Sequence, residues 1–305
     1  MPKIPMMRDP GSSDTELVDF SKMAGGGNDF VIIDNRRGVI TNAPRVAERI
    51  CTRRLSAGAD GLILIESSPR ATFRMRYLNR DGSEADFCAN GTRCAARFAF
   101  LNVIAPRKMT IETPAGVMAA EIHEKEVLLS LPSPQAFRPD RSLQVGTTTI
   151  YGSSLLVGVP HYVIFLERDL WKQDIEPLGR KIRYHPDLIP DGGANVNFVV
   201  VEDQHSIALR TYERGVEEET LSCGSGVIAS VSVSALFGRV ISPVAVKTRS
   251  GIRYEVTFDL DGQTLQNVRL RGDARLIYRA ALTPETLEGF DPVWVRNPTD
   301  DLPAT

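Results

Sequence analysis

Short apolar runs separated by polar turns dominate the chain. VIID (31–34), GLILIE (61–66) and TFRMRYLN (72–79) have the length and the branched or aromatic character of strands. DGSE (81–84) marks a turn. Strand-like pieces continue from Met109 to Leu131, and again through TTIYGSSLLVGVPHYVIFL (148–166). Three stretches have helical spacing instead. TNAPRVAERICTRRL (41–55) carries Pro44 where a first turn accepts it. ANGTRCAARFAFLN (89–102) and GSGVIASVSVSALFG (224–238) each begin directly after a cysteine, and Gly238 supplies a stop. The last stretch is apolar or small all round (Val227, Ile228, Ala229, Val231, Val233, Ala235, Leu236), the pattern of a buried helix.

The two parts of the chain resemble each other. NDFVIID at 28–34 answers to PHYVIFL at 160–166, MRYLNRDG at 75–82 to LRTYERGV at 209–216, and CANG at 88–91 to CGSG at 223–226. Their order and spacing agree: Asp29 lies 59 residues before Cys88, and His161 lies 62 before Cys223. This predicts two copies of one α+β unit, each a curved mixed sheet around a central helix whose N-terminus carries a thiol, with a cleft between them. The Pro-rich LPSPQAFRPDR (131–141) is the expected boundary, giving halves of 18–133 and 134–274. Residues 1–17 and 284–305 read as loose tails.

With 305 residues, 42% hydrophobic and 24% charged, the composition is that of a soluble globular protein. A net charge of −2 argues against nucleic acid or an acidic membrane as the main partner. The N-terminal residues lack the apolar core of a secretory signal, so a cytoplasmic protein is expected. Four cysteines (51, 88, 94 and 223) are too few for a disulfide framework, and none has zinc-site spacing. No metal is expected.

A helix N-terminus binds carboxylates and lowers the pKa of a thiol placed there. Two such ends, face to face, would hold a carboxylate between them with one sulfur on each side of the adjacent carbon. One thiolate removes the Cα proton and the opposite thiol returns one to the other face. Ala89, Gly91, Gly224 and Gly226 let a ligand approach the backbone closely.

FSKMAGGGNDFVIID, YLNRDGSEADFCANGTRCAARF, GVPHYV, ANVNF and YERGVEEETLSCGSG together resemble the diaminopimelate epimerase family, over about residues 19–280. The resemblance implies a cofactor-independent amino-acid epimerase of lysine and peptidoglycan precursor synthesis, and a homodimer. It implies that Cys88 and Cys223 are the acid/base pair. Ala89, Asn90, Gly224 and Ser225 would hold the reacting carboxylate; Asn28, Asn79, Asn195, Glu213 and Arg214 would make the other substrate contacts. It also implies a last strand near 275–283 that returns to the first half. His161 lies in the motif neighbourhood, and Cys51 and Cys94 read as packing residues. Four positions depart from the family pattern: Val159 replaces a substrate-binding Asn, Gly61 a substrate-contacting Gln, Ala24 a His, and Ala89 the first Gly of CGNG. No lysine stands in a pyridoxal phosphate motif. The competing readings are a racemase for another amino acid using the same thiols, a non-catalytic amino-acid binder and a thiol redox protein; the absence of Cys-x-x-Cys weakens the last.

Overall fold

A computed structural model describes residues 17–85 and 87–286. Apart from Leu17 and a single turn at Pro284–Thr286, the expected tails lie outside the described residues. The first elements are β1 (Val18–Gly25), β2 (Asn28–Asp34), α1 (Ala43–Ile50), β3 (Gly61–Glu66), β4 (Phe73–Asn79), α2 (Ala89–Leu101), β5 (Lys108–Thr113), β6 (Gly116–His123) and β7 (Glu126–Ser130). Then come β8 (Gln135–Val145), β9 (Thr148–Val157), β10 (Val159–Phe165), α3 (Glu176–Arg183), β11 (Asn195–Asp203), β12 (Ser206–Glu213), β13 (Glu218–Thr220), α4 (Gly224–Leu236), β14 (Val244–Lys247), β15 (Arg253–Asp261), β16 (Thr264–Asp273) and β17 (Arg275–Leu282).

Pairing runs as one ladder. From β17 it passes through β1, β2, β3, β4, β5 and β6 to β7. It crosses from β7 to β16 and continues through β15, β14, β12, β11, β10 and β9 to β8. The two sides repeat each other joint by joint. β2–β3 and β4–β5 are parallel on one side, β10–β11 and β12–β14 on the other, and the remaining joints are antiparallel. One side takes its outermost strand from the far end of the chain: β17 follows β16 but pairs with β1, whereas β8 pairs with β9, the strand that follows it.

Each sheet wraps a helix. α2 touches every strand from β1 to β7, and α4 touches β9, β10, β11, β12, β15 and β16. α4 is buried on nearly all sides because it offers no polar face. It ends as its sequence directs: Gly238 takes φ +66° and its N–H bonds Ala235 O. Strand β3 is buried on both faces. Ile63 and Ile65 join the core around α2, while Leu62 and Leu64 face the core under α1. The helix expected over 41–55 is shorter. It is capped by Asn42 and ends at Ile50, and the chain then turns back through Arg54 at φ +72° so that Ala59 N–H bonds Cys51 O. Cys51 and Cys94 are buried in these cores. Among the described residues no helix is long and apolar enough to cross a membrane.

Candidate active site

Both cysteines are helix caps. Cys88 Sγ accepts the N–H of Gly91 at 3.4 Å, and Cys223 Sγ accepts that of Gly226 at 3.4 Å. Their backbones are alike and extended, at φ/ψ −147°/105° and −118°/114°. The strand leading to each thiol is tied down in the same manner. Arg76 pairs with Glu84, four residues before Cys88, at 3.1 Å; Arg210 grips Glu219, four before Cys223, with two bonds of 2.6 Å. The second pair is buried and bidentate, and Arg210 also donates to the carbonyls of Leu170 and Gln173.

The two helix starts meet. A Cβ placed on Gly224 would lie 2.8 Å from Ala89 Cβ, so only glycine permits this approach. A hydrogen-bonded chain spans the junction. Asp60 accepts from Asn28 Nδ2 at 3.1 Å, and Asn28 Oδ1 accepts from Asn90 Nδ2 at 2.8 Å. Asn90 Oδ1 takes bonds from Arg93 Nη2 at 2.6 Å and from the Tyr254 hydroxyl at 3.3 Å. Tyr254 shares a 2.7 Å bond with Ser222, the neighbour of Cys223, and the Ser222 hydroxyl bonds Gly26 O. The residues just after Cys88 and just before Cys223 are thus tied to each other by side chains of both halves.

The remaining expected residues divide into two groups. Glu213 is half-buried, with Oε2 accepting from the Thr220 hydroxyl at 2.8 Å, and its charge acts on both thiols. Asn195 is buried and its Oδ1 fixes the Arg214 backbone N–H at 2.7 Å; Arg214 itself leans on Gly192 O. Ser225 Oγ lies 3.3 Å from Cys223 Sγ. Asn79 stands apart: it ends β4 opposite Gly61, and its amide donates to Ser83 Oγ at 3.0 Å within the turn. His161 is fully buried. Its Nδ1 accepts from Asn197 Nδ2 at 3.1 Å, which puts the proton on Nε2, where it meets no partner among the described residues. Burial, with the positive charge of Arg214, pushes its pKa down to about 3, so the ring is neutral.

The electrostatics correct one expectation. Helix N-termini were expected to lower the thiol pKa values, yet both are raised. Burial pushes Cys88 up to about 11 against the lowering pull of the Gly91 N–H, and Glu213 adds to the rise. Cys223 rises further, through burial and then Glu213, despite Ser225 and Gly226. Desolvation outweighs the helix end because the sulfurs are shielded from water. Burial also pushes Cys51 up to about 12 and raises Cys94. Cys88 is therefore the thiol that iodoacetamide should label first, being the least shifted and the only one not fully buried. Peptide mapping should show its labelling rate growing about tenfold per pH unit between pH 7 and 9, as the small thiolate fraction grows. Earlier modification of Cys51 or Cys94 would contradict this ordering.

Sequence reasoning missed Asp60, Arg93, Ser222 and Tyr254. Arg93, five residues after Cys88 inside the motif, had a local signal; Tyr254 had none.

The family profile described as diaminopimelate epimerase matches residues 20–131 and 153–277. The curated diaminopimelate epimerase of Aquifex aeolicus is 40% identical over 286 residues, covering 89% of this chain and all of that protein. The chain belongs to the diaminopimelate epimerase family. The family's protein from Chlorobaculum tepidum is 39% identical, covering 86% of this chain and all of the relative. The fold extends more widely. A hydroxyproline epimerase from Agrobacterium vitis matches with TM-score 0.66 at 16% identity, over 90% of this chain and 95% of that one. A Bacillus anthracis phenazine biosynthesis protein of the PhzF family matches with TM-score 0.66 at 18% identity, over 88% of this chain and all of that one.

Proposed function

We propose that this protein is a diaminopimelate epimerase, an isomerase that interconverts LL- and meso-2,6-diaminopimelate by proton transfer at Cα between Cys88 and Cys223. The observation that carries the reading is the meeting of two cysteine-capped helix N-termini at Ala89 and Gly224. The free N–H groups of both first turns converge where a carboxylate would sit, and the developing negative charge spreads onto that carboxylate. One sulfur takes the Cα proton as its thiolate. The other sulfur, a thiol, gives its proton to the opposite face. The sulfurs exchange protonation states, and nothing is oxidised or reduced.

Raised thiol pKa values fit this sequence. A substrate ammonium beside Glu213 would cancel the carboxylate charge that now disfavours the thiolate, so binding itself would promote the reactive form. Glu213 and Arg214 have the charges a zwitterionic far end requires, and Asn195 holds the Arg214 backbone. Val159 favours a runner-up, a racemase of a less polar amino acid, because it opens β10 with no polar group where the family pattern has Asn.

Proton exchange in heavy water separates the readings. Diaminopimelate should take up deuterium at Cα with kcat/KM well above that for His, Glu, Lys or Arg. Val159→Asn should improve it about tenfold, the worth of one hydrogen bond to a charged group. Preference for another amino acid, or diaminopimelate turnover only in the Val159→Asn variant, would defeat the assignment. The proposal includes a cytoplasmic location, supported by four free cysteines. It also includes a homodimer, supported by β17, an outer strand that among the described residues pairs only with β1 and exposes Ile277 and Tyr278. Sedimentation at twice the 33.6 kDa chain mass is the expected result, and a single-chain mass would refute it.

A further inference from the structure

Gly61 leaves a gap on β3, and a ring from the next strand fills it. A Cβ built on Gly61 would lie 2.4 Å from Tyr77 Cε2 and 2.5 Å from Leu78 O. No larger side chain enters while Tyr77 stays in place. The ring is braced edge-on by Phe30, with centroids 5.7 Å apart at 82°. Its hydroxyl makes no hydrogen bond with the described residues and is not among their fully buried atoms, so it is open to water or a ligand. Tyr77 lines a small cavity with Cys88, Phe87 and Thr92. Both Tyr77 and Cys88 pack against the core around α2, so Tyr77 stands on the side of β4 that carries the first thiol.

We propose that Tyr77 is a substrate-contacting residue that helps set specificity, its hydroxyl bonding the charged far end of the amino acid. It supplies from β4 a polar contact that Gly61 cannot supply from β3. The class of ligand it favours is an amino acid with a second ammonium or carboxylate, since an aliphatic chain gains nothing from a phenol. The inference rests on the epimerase reading above.

Tyr77→Phe keeps the ring, its contact with Phe30 and its cover over Gly61, so the fold has no reason to change. With diaminopimelate, KM should rise about tenfold while kcat stays within twofold, because the lost bond serves binding and not the proton transfer. Gly61→Gln should fail to fold or lose most activity, since its Cβ meets both the ring and the Leu78 carbonyl. A Tyr77→Phe enzyme with wild-type KM overturns the inference and leaves the epimerase reading standing. Wild-type protein that does not turn over diaminopimelate overturns both.

Discussion

Alanine at either Cys88 or Cys223 is expected to cut stereoinversion by about 10³-fold, within the range of a positioned acid or base. Each sulfur would have its own face of the substrate, held by its own helix cap, so neither thiol can stand in for the other. The two losses should differ in form. A variant with one thiol can still lift and return a proton on the face it retains. Cα exchange with deuterium should therefore persist, with retention of configuration, for one stereoisomer in Cys88→Ala and for the other in Cys223→Ala. Proton NMR and chiral chromatography measure the two quantities separately. Inversion within tenfold of wild type in either variant would remove that cysteine from the mechanism. The raised pKa values add a pH signature. Cys88 is pushed up to about 11, so its thiolate is scarce at pH 7 and increases as pH rises. The kcat/KM of the wild type should climb from pH 6 to 9, and it reports the pair of thiols together.

The thiol pair was legible in the sequence because its signals are local. A cysteine followed by small residues and a helical stretch, present twice at matching intervals, needs no knowledge of the tertiary fold. The duplication also foretold the repeated order of strands. Two things were not legible. One is the sign of the thiol shifts: a helix N-terminus can be read from the sequence, but the burial that overrides it depends on how two halves close over the sulfurs. The other is the web that joins those halves. Tyr254 reaches Asn90 across 164 residues, and Ser222 reaches Gly26 across 196. No periodicity or spacing encodes such meetings. The Gly61 departure shows a related limit. Read singly, it looks like a lost substrate contact; read with Tyr77, it is room for a ring from the neighbouring strand.

Arg93→Met is expected to cost both stability and activity. Arg93 is fully buried, yet its guanidinium has no carboxylate partner among the described residues. It bonds the carbonyls of Asp273 and Ala89 and the side-chain oxygen of Asn90, at 3.2, 3.3 and 2.6 Å, and lies 5.1 Å over the Tyr254 ring. Its position at the start of α2 adds charge to an end that is already positive. Such a cation is costly unless it serves an anion, and the nearest one the mechanism generates is the Cys88 thiolate. Methionine would fill the volume but remove the guanidinium's bonds to three acceptors, a loss of about 3–5 kcal/mol and about 10 °C in Tm. It would also free Asn90, which orders Asn28 and Tyr254, so activity should fall at least 10²-fold. The thiol separates an electrostatic role from a merely structural one. Arg93 holds the Cys88 pKa down against burial, so its removal should raise that pKa and slow iodoacetamide at every pH below it. Arg93→Lys retains the charge but not the planar fork, so it should recover the labelling rate better than the stability. Equal labelling of Cys88 in folded Arg93→Met and wild type would show that the guanidinium acts only as a brace.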